Sequence, residues 1–201
     1  MDRITAKGGP ISTRTAQSYG DGLRIALLVA KPIRLRNLAS AKIGTHLIEV
    51  GSSYRWRFKP SETKTRETID VELPVRLTPY IDRWIAEYRA VFPGADETDA
   101  LWLSSRGGPM SQAGVGDRIC LTTKRELGVR INPHAFRHIV ATSIAIAMPE
   151  DVRMTPFLLD HRTERTVTEH YDLANSLAAS ARYLKQLELR RQRALGRDRN
   201  R

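Results

Sequence analysis

Three short segments alternate apolar and polar residues with a period of two, and the chain after them repeats at three-and-four spacing. The alternating segments are 46–50 (HLIEV), 54–58 (YRWRF) and 69–73 (IDVEL). Alternation sends successive side chains to opposite faces, so each segment reads as a strand with one buried face. The polar stretch PSETKTRE at 60–67 is a turn between the last two, and the three predict one small antiparallel sheet.

From residue 77 the pattern is helical. Tyr80, Ile81, Trp84, Ile85 and Tyr88 fall on one face, and the run stops at Pro93-Gly94. Ser111 is placed to cap a helix through about Leu127, and Asn132-Pro133 is a start signal for HAFRHIVATSIAIAM. In that helix Phe136, Ile139, Val140, Ser143 and Ala147 are the expected buried face. Further helices are expected at about 150–159, 165–172 and 174–195. Ahead of the strands, the first twenty residues, with Gly8, Gly9 and Pro10, read as a loose lead-in. An apolar run follows at 23–30, and then a short amphipathic stretch after Pro32 with Leu35, Leu38 and Ile43 facing inward. The expected fold is mainly α with a small three-stranded antiparallel β-sheet near the N-terminus.

At 201 residues the chain can bury a full core, and 41% apolar content is too high for a disordered basic protein. No run approaches the roughly 18 apolar residues a spanning helix needs, and the N-terminus lacks the apolar stretch of a signal peptide. A single cysteine, Cys120, excludes a disulfide framework and makes the cytoplasm the default compartment. The net charge of +11 comes from 26 Arg and 7 Lys against 22 acidic residues. Arginine presents a planar fork of donors that matches phosphate oxygens, so a nucleic acid is one reading; an Arg-rich coding bias is the other. Residues 190–201 alone carry six Arg and one Asp, a basic tail with little specific information.

His134 and His138 have the i, i+4 spacing of a zinc pair. The residue after the first is Ala135 where a zinc hydrolase needs Glu, and no nearby carboxylate or Cys completes a ligand set. His134 and Arg137 at i, i+3 form instead a donor pair at a helix N-terminus, suited to an anion. Read in order the chain gives Arg34, Lys64, His134-x-x-Arg137, His161 and Tyr171, with R-x-x-N-L at 34–38, Lys-Thr at 64–65, P-H-x-x-R-H at 133–138 and L-L-x-H at 158–161. This order resembles the tyrosine recombinase (phage integrase) family over about residues 20–190. Arg34 is preferred to Arg36 because Asn37 and Leu38 then fall at the third and fourth positions after it. Lys64 is preferred to Lys59 because it precedes Thr in the turn, and Tyr171 to Tyr183 because it follows His161 closely. His170 reads as a surface or DNA-proximal residue.

The resemblance implies a site-specific DNA recombinase or integrase, cleaving and rejoining strands through a covalent 3′-phosphotyrosyl link without metal, ATP or other cofactor. Tyr171 would be the nucleophile, with His134 the plausible acceptor of its proton. Arg34 and Arg137 would hold the charge that builds on the phosphate, Lys64 would protonate the departing 5′ oxygen, and His161 would buttress the phosphate. It further implies double-stranded DNA as partner, a homo-oligomer (a tetramer on DNA) and a cytoplasmic, nucleoid-associated enzyme. The C-terminal helix bearing Leu184, Leu187 and Leu195 would then pack on a neighbouring subunit or cover its own domain.

The domain division expected is a lead-in at 1–20, a catalytic domain at 21–190 and a basic tail at 191–201, without the N-terminal core-binding domain usual in the family. Asp160 stands where the family has Gly before the third-motif His, and Ile33 precedes Arg34 where many members have Gly-Leu. Two alternatives stay open: relaxation of the type IB topoisomerase kind, which uses a related residue set, and a non-catalytic DNA-binding remnant.

Overall fold

The computed structural model describes residues 1–5 and 10–147. It opens with one turn, α1 (Asp2–Thr5), and a long helix, α2 (Thr13–Ala30). The expected lead-in is therefore helical from Thr13. Ser12 caps α2 by accepting from the Thr15 amide at 3.1 Å, and Ala16, Tyr19, Leu23 and Leu27 recur at three-and-four spacing and are all buried. Glycines at 20 and 22 lower helix propensity, but packing decides here. A Cβ on Gly20 would stand 2.8 Å from the Trp84 ring, so this close approach of α2 excludes any side chain there.

After Pro32 comes α3 (Leu35–Ala39), then β1 (Leu47–Val50), β2 (Ser53–Phe58) and β3 (Ile69–Glu72), antiparallel in the order β1-β2-β3. The register pairs Leu47 with Trp56 and Trp56 with Val71. Tyr54, Trp56, Phe58, Leu47 and Ile69 are buried on one face, as the alternation requires. On the other, Arg55 pairs with Asp70 at 3.1 Å and Glu72 at 2.9 Å, and Arg57 pairs with Asp70 at 3.2 Å.

The run after residue 77 begins as α4 (Thr78–Arg83), passes through a π-turn at Trp84–Tyr88 and ends in a 3-10 turn at Arg89–Val91. Phe92 is extended, as a residue preceding proline prefers. Buried Arg89 gathers the loop that follows by donating to the carbonyls of Ala100 at 2.9 Å, Ala95 at 2.8 Å and Thr98 at 2.5 Å. Next is α5 (Gln112–Leu127), capped by Ser111 and ended by Gly128 at φ 74°, then α6 (Pro133–Ala147).

The chain divides into two compact units, residues 1–137 and 138–201. In the first, the core is built around Trp56, Trp84 and Trp102, each fully buried. Trp102 donates its indole N–H to Leu38 O at 2.8 Å, which binds α3 to the centre. Asp21 is fully buried and receives Arg24 at 2.7 Å; Arg118 of α5 also reaches it with Nε at 3.0 Å and with Nη2. Arg24 lies 4.5 Å over the Trp102 ring, and burial lowers its pKa to about 10 while Asp21 opposes the shift, so it remains charged at neutral pH.

Of the second unit the described residues are 138–147, the continuation of α6. There Ile139 and Ser143 are exposed, contrary to the buried face expected of them. Pro133, Arg137 and Ala141 recur at i+4 and are buried together with Phe136, so the inward stripe is rotated to include the arginine. The helices expected at 150–159, 165–172 and 174–195 lie outside the described residues. No helix among the described residues is long and apolar enough to cross a membrane.

Removing Asp21 leaves Arg24 buried without its counter-charge. Asp21→Ala is expected to cost about 3–5 kcal/mol, read as a lowered urea midpoint, whereas Arg57→Ala on the exposed sheet face should cost about 1 kcal/mol or less.

Candidate active site

α2 stops at Lys31, and Pro32 forces a change of direction that a γ-turn completes, the Ile33 amide donating to Lys31 O at 2.8 Å. Arg34 follows in extended geometry as the residue immediately before α3, and its side chain is half-buried. From the other side comes α6. Asn132 caps it, accepting from the Ala135 amide at 2.9 Å, and Pro133 occupies the first position. The loop leading to that cap is fixed by buried Thr123, whose hydroxyl accepts from the Ile131 amide at 2.9 Å and donates to Cys120 O at 3.0 Å.

Arg137 is 2% exposed and donates from Nη1 to Pro32 O at 2.6 Å. This bond ties the second arginine to the bend two residues before the first. Arg34, Arg36, Asn132, His134 and Arg137 consequently line one open cleft of about 400 Å³. His134 is exposed, on the first turn of α6. Three guanidinium groups, an imidazole and the positive end of a fifteen-residue helix make this cleft suited to an anion. Arg36 lines it as well as Arg34.

Lys64 is not among the residues lining the cleft. It is exposed on the β2–β3 turn, where the strand pattern puts it. The turn is tightly built. Thr63 is buried and its hydroxyl accepts from the Glu67 amide at 3.1 Å while donating to Glu67 O at 2.8 Å, closing a loop round Lys64. Within it Arg66 takes a left-handed conformation at φ 54°, unusual for a side-chain-bearing residue.

The polar residues that hold this turn were not singled out by their sequence pattern. Asn37 of α3, 2% exposed, donates from Nδ2 to Glu62 O at 3.0 Å. The Glu62 carboxylate accepts from the Lys59 amide at 2.7 Å and pairs with His46 Nε2 at 3.0 Å. His46 Nδ1 accepts from the Lys42 amide at 3.1 Å, so in its neutral form the ring proton lies on Nε2 and points at Glu62. The ring stacks on Phe58 at 4.6 Å. Asn37 was legible only as the third position after Arg34. His46 and Glu62 are sixteen residues apart in the sequence, and their pairing carries no local signal. His161 and Tyr171 lie outside the described residues, as do His170 and Tyr183.

The fold is that of solved site-specific recombinases. XerH bound to a palindromic difH substrate, in a post-cleavage complex, superposes with a TM-score of 0.66 at 18% identity, over 92% of this chain and 50% of that one. XerA recombinase gives 0.57 at 16% identity, over 87% and 64%. Among curated proteins, the tyrosine recombinase XerC of Pseudomonas fluorescens (strain Pf0-1) is 26% identical over 162 residues, 80% of this chain and 48% of the relative. The XerC of Pseudomonas syringae pv. syringae (strain B728a) is 26% identical over 149 residues, 74% and 43%. The chain thus spans about half the length of these relatives. Residues 5–176 match the phage integrase family, and the chain belongs to it.

The hydrogen bond from His46, followed by that from the Lys59 amide, holds Glu62 below the usual carboxylate range. A depressed carboxylate stabilises the fold above its unfolded pKa of about 4.3, and that contribution is lost as pH falls through the folded value. The side chain is 36% exposed, so screening keeps the effect small. Urea titrations from pH 6 downward should show a shallower acid loss in Glu62→Gln than in the wild type.

Proposed function

We propose that this chain carries the catalytic domain of a site-specific DNA recombinase or integrase, over about residues 21–190, which breaks and rejoins strands through a 3′-phosphotyrosyl intermediate. The observation that supports this most strongly is the convergence of Arg34, His134 and Arg137, a hundred residues apart in sequence, on one cleft. Members of the family are tyrosine recombinases, and the XerH structures hold DNA substrates.

In-line attack on a phosphodiester builds negative charge on the non-bridging oxygens. The guanidinium groups of Arg34 and Arg137 can hold that charge without a metal. The bond from Arg137 to Pro32 O spends one donor on fixing the guanidinium, which pre-organises it before substrate arrives. Tyr171 Oη attacks phosphorus and yields its proton to His134. The bond to the 5′ oxygen breaks, and Lys64 supplies the proton that oxygen needs. The phosphotyrosyl link conserves the bond energy, so resealing to another 5′ hydroxyl requires no nucleotide. The working partner is double-stranded DNA, on which the enzyme acts as a homo-oligomer in the manner of its family.

Nicked suicide duplexes, drawn from a pool of varied sequence and resolved on a denaturing gel, test this. A covalent adduct should form in EDTA, vanish in Tyr171→Phe, and fall by about 10²–10³-fold in Arg137→Ala. An adduct that requires Mg²⁺ or survives Tyr171→Phe overturns the reading. The absence of any adduct favours a binding remnant, and relaxation of supercoils without site preference favours a topoisomerase.

A further inference from the structure

The proton donor proposed above stands on a turn that contributes nothing to the lining of the anion cleft, yet a phosphodiester in that cleft must meet it. We infer that Asn37, acting with Glu62 and His46, is a positioning residue that sets where Lys64 stands relative to Arg34. The inference rests on the recombinase reading.

Asn37 follows Arg34 by one helical turn on α3, and Glu62 precedes Lys64 by two residues. A single buried hydrogen bond of 3.0 Å, from Asn37 Nδ2 to Glu62 O, therefore joins the backbone that carries one cation to the backbone that carries the other. It is the donor end that is committed: Asn37 is 2% exposed, and its helix is itself anchored by Trp102 bonding Leu38 O at 2.8 Å. The acceptor end is held from the opposite side. The Glu62 carboxylate takes the Lys59 amide with one oxygen and His46 Nε2 with the other, and His46 is fixed by the Lys42 amide and by the Phe58 ring. Thr63 then closes the loop around Lys64. Each of these contacts constrains the turn's backbone, and none of them occupies the Lys64 ammonium.

Such an arrangement serves proton delivery, which depends steeply on placement. When Tyr171 Oη attacks, the P–O5′ bond breaks and the leaving alkoxide takes a proton from the Lys64 ammonium, which becomes a neutral amine. With sulfur in place of the bridging 5′ oxygen, the leaving group departs as a stable thiolate and needs no proton. That substitution separates a residue acting through Lys64 from one that merely supports the fold.

The test is single-turnover cleavage by the full chain, with the duplex that gives the most adduct, prepared with oxygen or with sulfur at the bridging 5′ position. Lys64→Ala should lose about 10²–10⁴-fold on the oxygen substrate and recover on the sulfur one. Asn37→Ala and Glu62→Gln should each lose about tenfold or more on oxygen and return to within about twofold of wild type on sulfur. Glu62→Gln is partly exposed and keeps one acceptor oxygen for two donors, so it decides the matter alone if Asn37→Ala does not fold. Equal slowing of both substrates in these two variants, or no slowing, overturns the inference while the recovery of Lys64→Ala leaves the mechanism standing. Failure of Lys64→Ala to recover overturns the role given to Lys64, and the inference with it.

Discussion

A carboxylate with no access to water, Asp21, organises the described fold. It stands on α2 among apolar neighbours and is made tolerable by two guanidinium groups, Arg24 from its own helix and Arg118 from α5. Arg24 in turn lies on Trp102, and Trp102 holds Leu38 of α3 by its indole N–H. A chain of charge, ring and hydrogen bond thus runs from the first long helix to the short one beside the cleft. Burying an ion pair gives little net stability against an apolar alternative, but it permits only one arrangement of the helices that supply its members. The register of α2 against α5 follows from it.

The cleft depends on the turn after α2. Pro32 ends the helix, its carbonyl receives Arg137, and the next two residues deliver Arg34. Two like charges held by separate elements repel one another across a cavity unless an anion lies between them. The fold resists this repulsion with the capped start of α6 and the buried bond to Pro32 O, so the electrostatic cost of assembling the site is met before any ligand arrives. The same short helix, through Asn37, also reaches the sheet, and α3 in this way serves as the joint between the two halves of the proposed chemistry.

Much of this was legible from residue pattern alone. The three alternating segments became strands within a residue of their expected limits, since a sheet with one buried face leaves a period-two record. Ser111 and Asn132-Pro133 marked helix starts because capping is a local chemical requirement. The start of α2 was obscured by Gly8, Gly9 and Pro10 just ahead of it; the approach of Trp84 to Gly20 inside the helix is a contact across 64 residues that no window reveals. The inward stripe of α6 was displaced because Arg137 is buried by a backbone acceptor, and hydropathy assigns arginine to solvent. The hydrogen bonds from His46 through Glu62 to Asn37 join positions with no periodic relation, and they emerge only once the strands are paired.

Two of the arginines that swell the formal charge are interior and line no part of the cleft: Arg24 and Arg89 are each less than a tenth exposed. One is paired with a carboxylate and the other is wrapped by three carbonyl dipoles. Both still belong to the net +11 that acts at long range, but neither can touch a phosphate. Counterion release counts phosphates met by accessible cations. The sensitivity of any nucleic-acid complex to ionic strength is set by those accessible cations, and composition alone is a poor guide to their number.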